Sequence, residues 1–139
     1  MSFRYFIDSL HRELKAQGWH DVRPVYGFVL LAARCGITAQ NLAELMGMSK
    51  QAAAKIVHAM EASDYVVRAP RNDDARAKEI RLTARGEQLL AAVETIYRDI
   101  EGGWADVLGQ DQLEQVRTAL TTALRATNDG ELPAVRPTW

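Results

Sequence analysis

The chain has 139 residues, a formal net charge of −1 and a 47% hydrophobic content. That length suits one domain with a modest core, and so balanced a charge does not by composition alone mark a nucleic-acid binder or an acidic tail. A lone cysteine, Cys35, excludes an internal disulfide and fits a reducing cytosol. The amphipathic opening has no signal-peptide core and no segment reaches about 18 apolar residues, so a cytoplasmic protein without a membrane span is expected.

In chain order the pattern is mostly helical. Phe3, Phe6, Ile7, Leu10 and Leu14 recur at the spacing of one helical face, and Gly18 is placed to end that helix. Asp21 is expected to cap a second helix, with Pro24 in its first turn and residues 26–33 as its body. Gly36 breaks the chain, and Thr38 suits the cap of a short third helix whose Leu42, Leu45 and Met46 share a face. Gly47 suits a left-handed turn, and Ser49 the cap of a fourth helix with Ala53, Ile56, Val57 and Met60 on one side.

The β-branched and aromatic run at 65–69 reads as a strand, residues 70–77 as a turn and residues 78–82 as the returning strand. Thr83 is placed to cap a long helix with Leu89, Leu90, Val93, Ile96, Tyr97 and Ile100 on one face and a kink at Gly102 and Gly103. Asp111 with Glu114 matches a capping box opening a last helix that carries Leu113, Val116, Leu120 and Leu124. Residues 128–139 read as a poorly ordered tail. The sum is a mainly α (α+β) chain forming a single domain.

Two short helices around a Gly-containing turn suggest a helix-turn-helix. Ala43 is small enough for close packing, and Met48 and Ile56 can fill the space between the helices. On the fourth helix the side opposite Ala53 and Met60 carries Gln51, Lys55, His58 and Ala62, with Ala54 beside them. Gln, Lys and His can donate to base edges or phosphates, and Ala lets a helix approach closely. Lys50 can reach a phosphate together with the free N–H groups of the first turn.

A hairpin directly after such a helix is a wing. Arg76 at its tip is suited to the negative potential of a minor groove, with Asp74 orienting its guanidinium. Residues 50–85 hold eight Lys+Arg against five Asp+Glu, while the rest of the chain holds nine against thirteen. The near-neutral total thus conceals a basic middle in an acidic frame.

The run from Leu42 to Gly86 resembles the winged helix-turn-helix of the MarR family of bacterial regulators. Ser49-Lys50-Gln51 opens the recognition helix, Glu61 lies near its end, and Asp74-Ala75-Arg76 is followed by Leu82-Thr83-Ala84-Arg85-Gly86. The resemblance spans roughly residues 3–126. Two departures stand out: Asp64 replaces the family's usual glycine, and the helix before the motif is short.

The resemblance implies a homodimer, with dimerisation helices at 1–20 and 104–127, a DNA-binding core at 21–86 and a connecting helix at 83–103. It further implies an inverted-repeat operator on double-stranded DNA and usually repression. For many members it implies a small aromatic or phenolic effector. On that reading Gln51, Ala54, Lys55 and His58 face bases, while Thr38, Gln40, Ser49, Lys50 and Arg68 grip phosphates. Arg71, Asp74, Arg76 and Lys78 form the wing contact, and Trp19, His20, Arg23 and Tyr26 are the candidates for an effector pocket.

Plainer readings compete. The Gln51–His58 face could be an ordinary solvated surface, and Asp74 with Arg76 an ordinary turn ion pair contributing at most about 1 kcal/mol. A core or dimer-contact role competes for Trp19, His20, Arg23 and Tyr26, and Cys35 reads as a structural thiol. A winged module that binds a ligand or a protein without reading DNA would carry neutral or acidic residues on the recognition face, against Gln51 and Lys55. No nucleophile elbow, phosphate-cradling glycine loop or metal spacing marks an enzyme, His11 and His20 lack partners at ligand spacing, and no cofactor is expected.

Overall fold

The computed structural model describes residues 2–70 and 78–132, with side chains from residue 4 onward. Eight elements follow one another among these residues. They are α1 (Ser2–Ala16), α2 (Pro24–Ala33), α3 (Ala39–Leu45), α4 (Lys50–Ala62), β1 (Val66–Pro70), β2 (Lys78–Leu82), α5 (Ala84–Leu108) and α6 (Gln110–Ala126). Phe3's side chain, Arg71, Asp74, Arg76 and residues 133–139 of the expected tail lie outside the described set.

Local chemistry starts three of the helices. The N–H of Asn41 donates to Thr38 Oγ1 at 3.1 Å, that of Ala52 to Ser49 Oγ at 3.1 Å and that of Gly86 to Thr83 Oγ1 at 3.0 Å. Each such cap typically contributes about 1 kcal/mol by satisfying a donor that the helix itself leaves free. The turn between α3 and α4 needs Gly47 at φ +59°, and Asp64 takes the same left-handed conformation at φ +59° after α4. Asp is among the few non-glycine residues that tolerate that region, so the turn survives the substitution.

Strands β1 and β2 pair antiparallel, with Val66 opposite Leu82 and Pro70 opposite Lys78. Ile37 adds an isolated antiparallel bridge to Ile80, exchanging bonds of 3.1 and 2.7 Å, and so ties the start of α3 to the hairpin. The core runs through the middle of the molecule. Leu14, Val29, Leu30, Leu42, Val57, Met60, Tyr65 and Leu89 are wholly buried in it, with Met46 and Ile80 nearly so. Met48 and Ile56 pack against it half-buried, as the space between α3 and α4 requires.

Two expectations need correction, one at the start of α2 and one at the start of α6. Asp21 does not cap α2: Arg23 occupies that position with no side-chain bond, because the Asp21 carboxylate is engaged by the Tyr65 hydroxyl. The residues of α5 remain helical through Gly102 and Gly103, where the kink was expected. Just beyond them Trp104 is anchored edge-on to Phe6 at 4.5 Å between centroids, and this packing on α1 holds the helix where its own propensity is weak. Helix α5 continues to Leu108, and Gly109, with φ +84°, ends it and precedes α6. Asp111 and Glu114 therefore lie inside α6 and form no capping box, and Asp111 instead complements the dipole of the first turn. Cys35 is exposed just past the end of α2.

Candidate nucleic-acid interface

Helix α4 is two-faced. Ala53, Val57 and Met60 are wholly buried, whereas Gln51, Lys55, His58 and Ala62 are exposed and Ala54 is half-buried beside them. With turns of 3.6 residues, burial of one side necessarily turns the other outward. The outward side holds two long donors and an imidazole over small alanines, a surface that can approach a polyanion and hydrogen-bond to it.

The residues expected to grip phosphates are spread around that face. Lys50 is exposed in the first turn of α4, directly after the Ser49 cap. Thr38 uses its oxygen as the α3 cap, which leaves its hydroxyl proton free to donate. Gln40 donates to the carboxylate of Glu44, so its amide is already engaged. Arg68, exposed on β1, is held by Glu61 near the end of α4 at 3.5 Å. Lys78 is exposed at the first position of β2. Arg71, Asp74 and Arg76, which carry the rest of the wing expectation, lie outside the described residues.

The four residues expected to form an effector pocket part company. Tyr26 is buried, Trp19 half-buried, and His20 and Arg23 are exposed. Trp19 and Tyr26 both pack on Tyr65, at 6.2 and 6.1 Å between ring centroids. The Tyr65 hydroxyl donates to Asp21 Oδ1 at 2.5 Å, and the Arg85 guanidinium lies 5.4 Å from the Trp19 ring centre and 5.3 Å from that of Tyr65. The Tyr65 bond, chiefly, holds the Asp21 carboxyl below its ordinary value, while burial and that same bond push the Tyr65 phenol up. Sequence reading missed Asp21, Tyr65 and Arg85 as a group, since nothing local links residues so far apart.

A separate cleft of about 120 Å³ opens between α2 and α5. Phe28, Leu31, Leu90, Val93 and Tyr97 line it, Glu94 stands at its side, and none of the four expected pocket residues does. Glu94 pairs with Arg34 from the end of α2. Its apolar wall was legible as the Leu90, Val93 and Tyr97 face of α5, but its partner from α2 was not. Among the described residues no cluster of His, Cys, Asp and Glu is placed to hold a metal ion, and no helix is long and apolar enough to cross a membrane.

Two short helices, a two-faced second helix and a paired hairpin define a winged helix-turn-helix protein. Residues 28–77 match the model of the MarR family. Solved structures agree over nearly the whole chain. The MepR–DNA complex of S. aureus superposes with a TM-score of 0.71 at 21% identity, covering 91% of this chain and 93% of that one. MepR bound to ethidium bromide gives 0.67 at 20%, covering 92% of each. A MarR family transcriptional regulator from Rhodococcus sp. RHA1 gives 0.67 at 21%, covering 88% of this chain and 87% of that one. No curated protein sequence matches the chain. The resemblance to the MarR family is thus borne out: residues 28–77 match that family's model, and the chain as a whole shares its fold with these solved structures.

Proposed function

We propose that the protein is a sequence-specific, double-stranded DNA-binding transcriptional regulator that acts as a homodimer on an inverted-repeat operator and represses until a ligand releases it. The observation that carries the reading is the outward face of α4, with Gln51, Lys55 and His58 exposed over Ala54 while the opposite face is wholly buried. Gln51, Lys55 and His58 read base edges, and Lys50, with the free N–H groups of its turn, fixes the register on phosphate. Arg76 reaches the adjacent minor groove, with Asp74 orienting its guanidinium and Arg71 beside them in the wing. In a two-fold dimer the two α4 helices enter major grooves about 34 Å apart.

The dimer is supported by apolar residues left half-covered among the described residues: Val116, Leu120 and Leu124 on α6 are 45–60% exposed. Ligand release is supported by the cleft between α2 and α5, which presents aromatic and aliphatic walls. The MepR structures with DNA and with ethidium bromide show that this fold, in another protein, accommodates both kinds of partner. A ligand releases DNA only if it prefers the head spacing that DNA does not.

The test is a titration of the full-length protein with duplex DNA from upstream of its own gene, repeated across salt concentrations. Affinity for that duplex should exceed affinity for scrambled duplex and fall log-linearly with salt. Equal affinity for both duplexes, or no salt dependence, overturns the reading.

A further inference from the structure

We propose that Asp21, Tyr65 and Arg85 form a clasp that holds the reading head at the angle to the arm at which it binds DNA. The proposal rests on the DNA-binding reading above and assigns positioning roles to three residues that touch no DNA in it.

Tyr65 follows α4 directly, after the left-handed Asp64. Its main chain is pinned from both sides: its N–H donates to the Met60 carbonyl at 2.9 Å, and its carbonyl accepts from Thr83 N–H at 3.1 Å. Gly86 approaches so closely that an added Cβ would stand 1.9 Å from the Tyr65 carbonyl oxygen. The exit of α4 and the start of α5 are therefore one rigid joint.

The side chain of Tyr65 carries that joint outward. Its ring lies among Trp19, Tyr26 and the Arg85 guanidinium, and its hydroxyl ends on Asp21 in the connection between α1 and α2. One side chain thus links the arm's connection, α2, the end of the recognition helix and the base of α5. A purely apolar contact would need only the ring. The directed bond from a buried hydroxyl to a carboxylate, 44 residues away in sequence, fixes an angle that ring packing alone leaves softer. Arg85 lies across both rings and is attracted by the Asp21 charge, closing the group electrostatically.

Three variants test the clasp: Tyr65→Phe keeps the ring and removes the O–H, Asp21→Ala removes the acceptor, and the third combines them. Each single variant should weaken binding of the upstream duplex about tenfold. The double should be no weaker than the weaker single, since both remove the same bond. The salt slope should stay unchanged because no phosphate contact is lost.

Unchanged affinity in both singles, or losses that add in the double, overturns the clasp. Should Tyr65→Phe fail to fold, Asp21→Ala at the exposed end of the bond carries the same test. Amide exchange separates this proposal from the reading beneath it. In either variant, exchange should quicken together at residues 19–22 and 66–69, whether or not DNA binds. If the wild-type protein binds no duplex, the DNA-binding reading fails and the clasp stands or falls on that paired change.

Discussion

In α4, Ala53, Val57 and Met60 are wholly buried within one chain, whereas in α6 Leu113 alone is buried and Val116, Leu120 and Leu124 stand 45–60% exposed. Both helices carry apolar residues at the same periodicity, so the difference lies in what each meets. The face of α4 closes on α3 and β1. The face of α6 touches the end of α5 and little else, with Arg117 bridging Glu101 at 2.9 Å and Glu114 at 3.4 Å. A head complete in itself beside an arm left half-covered suits a molecule whose reading surface is built within each chain and whose spacing is set between chains.

The largest effect that could break this contrast belongs to the arm. Leu120→Lys with Leu124→Lys should dissociate the proposed dimer by at least about 100-fold, since each fully buried Leu contributes about 1.5–3 kcal/mol and each is buried twice in a two-fold pair. Sedimentation should show monomers with undiminished helical content. A dimer persisting at the same concentration would remove α6 from the interface.

The head should respond in the opposite way. Met60→Ala should cost about 2–5 kcal/mol in chemical denaturation through the cavity it leaves among Val57, Tyr65 and their neighbours. The surviving folded fraction should still sediment as dimer. A loss well under 1 kcal/mol would show that the head is not the tightly packed half.

On the head's outer surface, Gln51→Ala should reduce discrimination between the upstream and scrambled duplexes by about 1–3 kcal/mol while leaving stability within about 0.5 kcal/mol. Equal loss on both duplexes would deny it a base-reading role.

The smallest effect is a pH dependence at the joint between the two regions. The folded-state pKa of Asp21 is depressed, chiefly by the Tyr65 hydrogen bond. Its contribution is therefore present above the unfolded chain's carboxylate pKa and is lost as pH falls through the lower folded value. The difference in thermal midpoint between the wild type and Asp21→Asn should shrink on going from about pH 7 to about pH 3. A difference that stays constant or grows would separate Asp21 from the stability of the joint.

Thr38, Ser49 and Thr83 were legible as caps because capping is decided within three residues, and each accepts from the expected backbone N–H. The two faces of α4 were legible because periodicity alone sorts a helix into an inner and an outer side. Asp21 was misread because it has the composition of a cap, while its actual partner comes from residue 65. The Phe6–Trp104 contact just past Gly102 and Gly103 was not legible, because it joins helices far apart in sequence. Of the site itself, Gln51, Lys55, His58 and Lys50 stand exposed where the pattern put them, whereas Gln40 and Arg68 proved to be engaged by Glu44 and Glu61.

By itself the sequence determined the order of the elements, the caps that start three of the helices, and which side of α4 faces out. These depend on interactions among residues within a turn or two of one another, which any copy of the chain makes wherever it folds. Only the tertiary structure decided that α5 and α6 meet at Gly109, that a cleft forms between α2 and α5, and that Trp19, Asp21, Tyr65 and Arg85 converge. Those outcomes depend on surfaces brought together across tens of residues, where the competition between a local partner and a distant one is settled by packing and burial rather than by spacing.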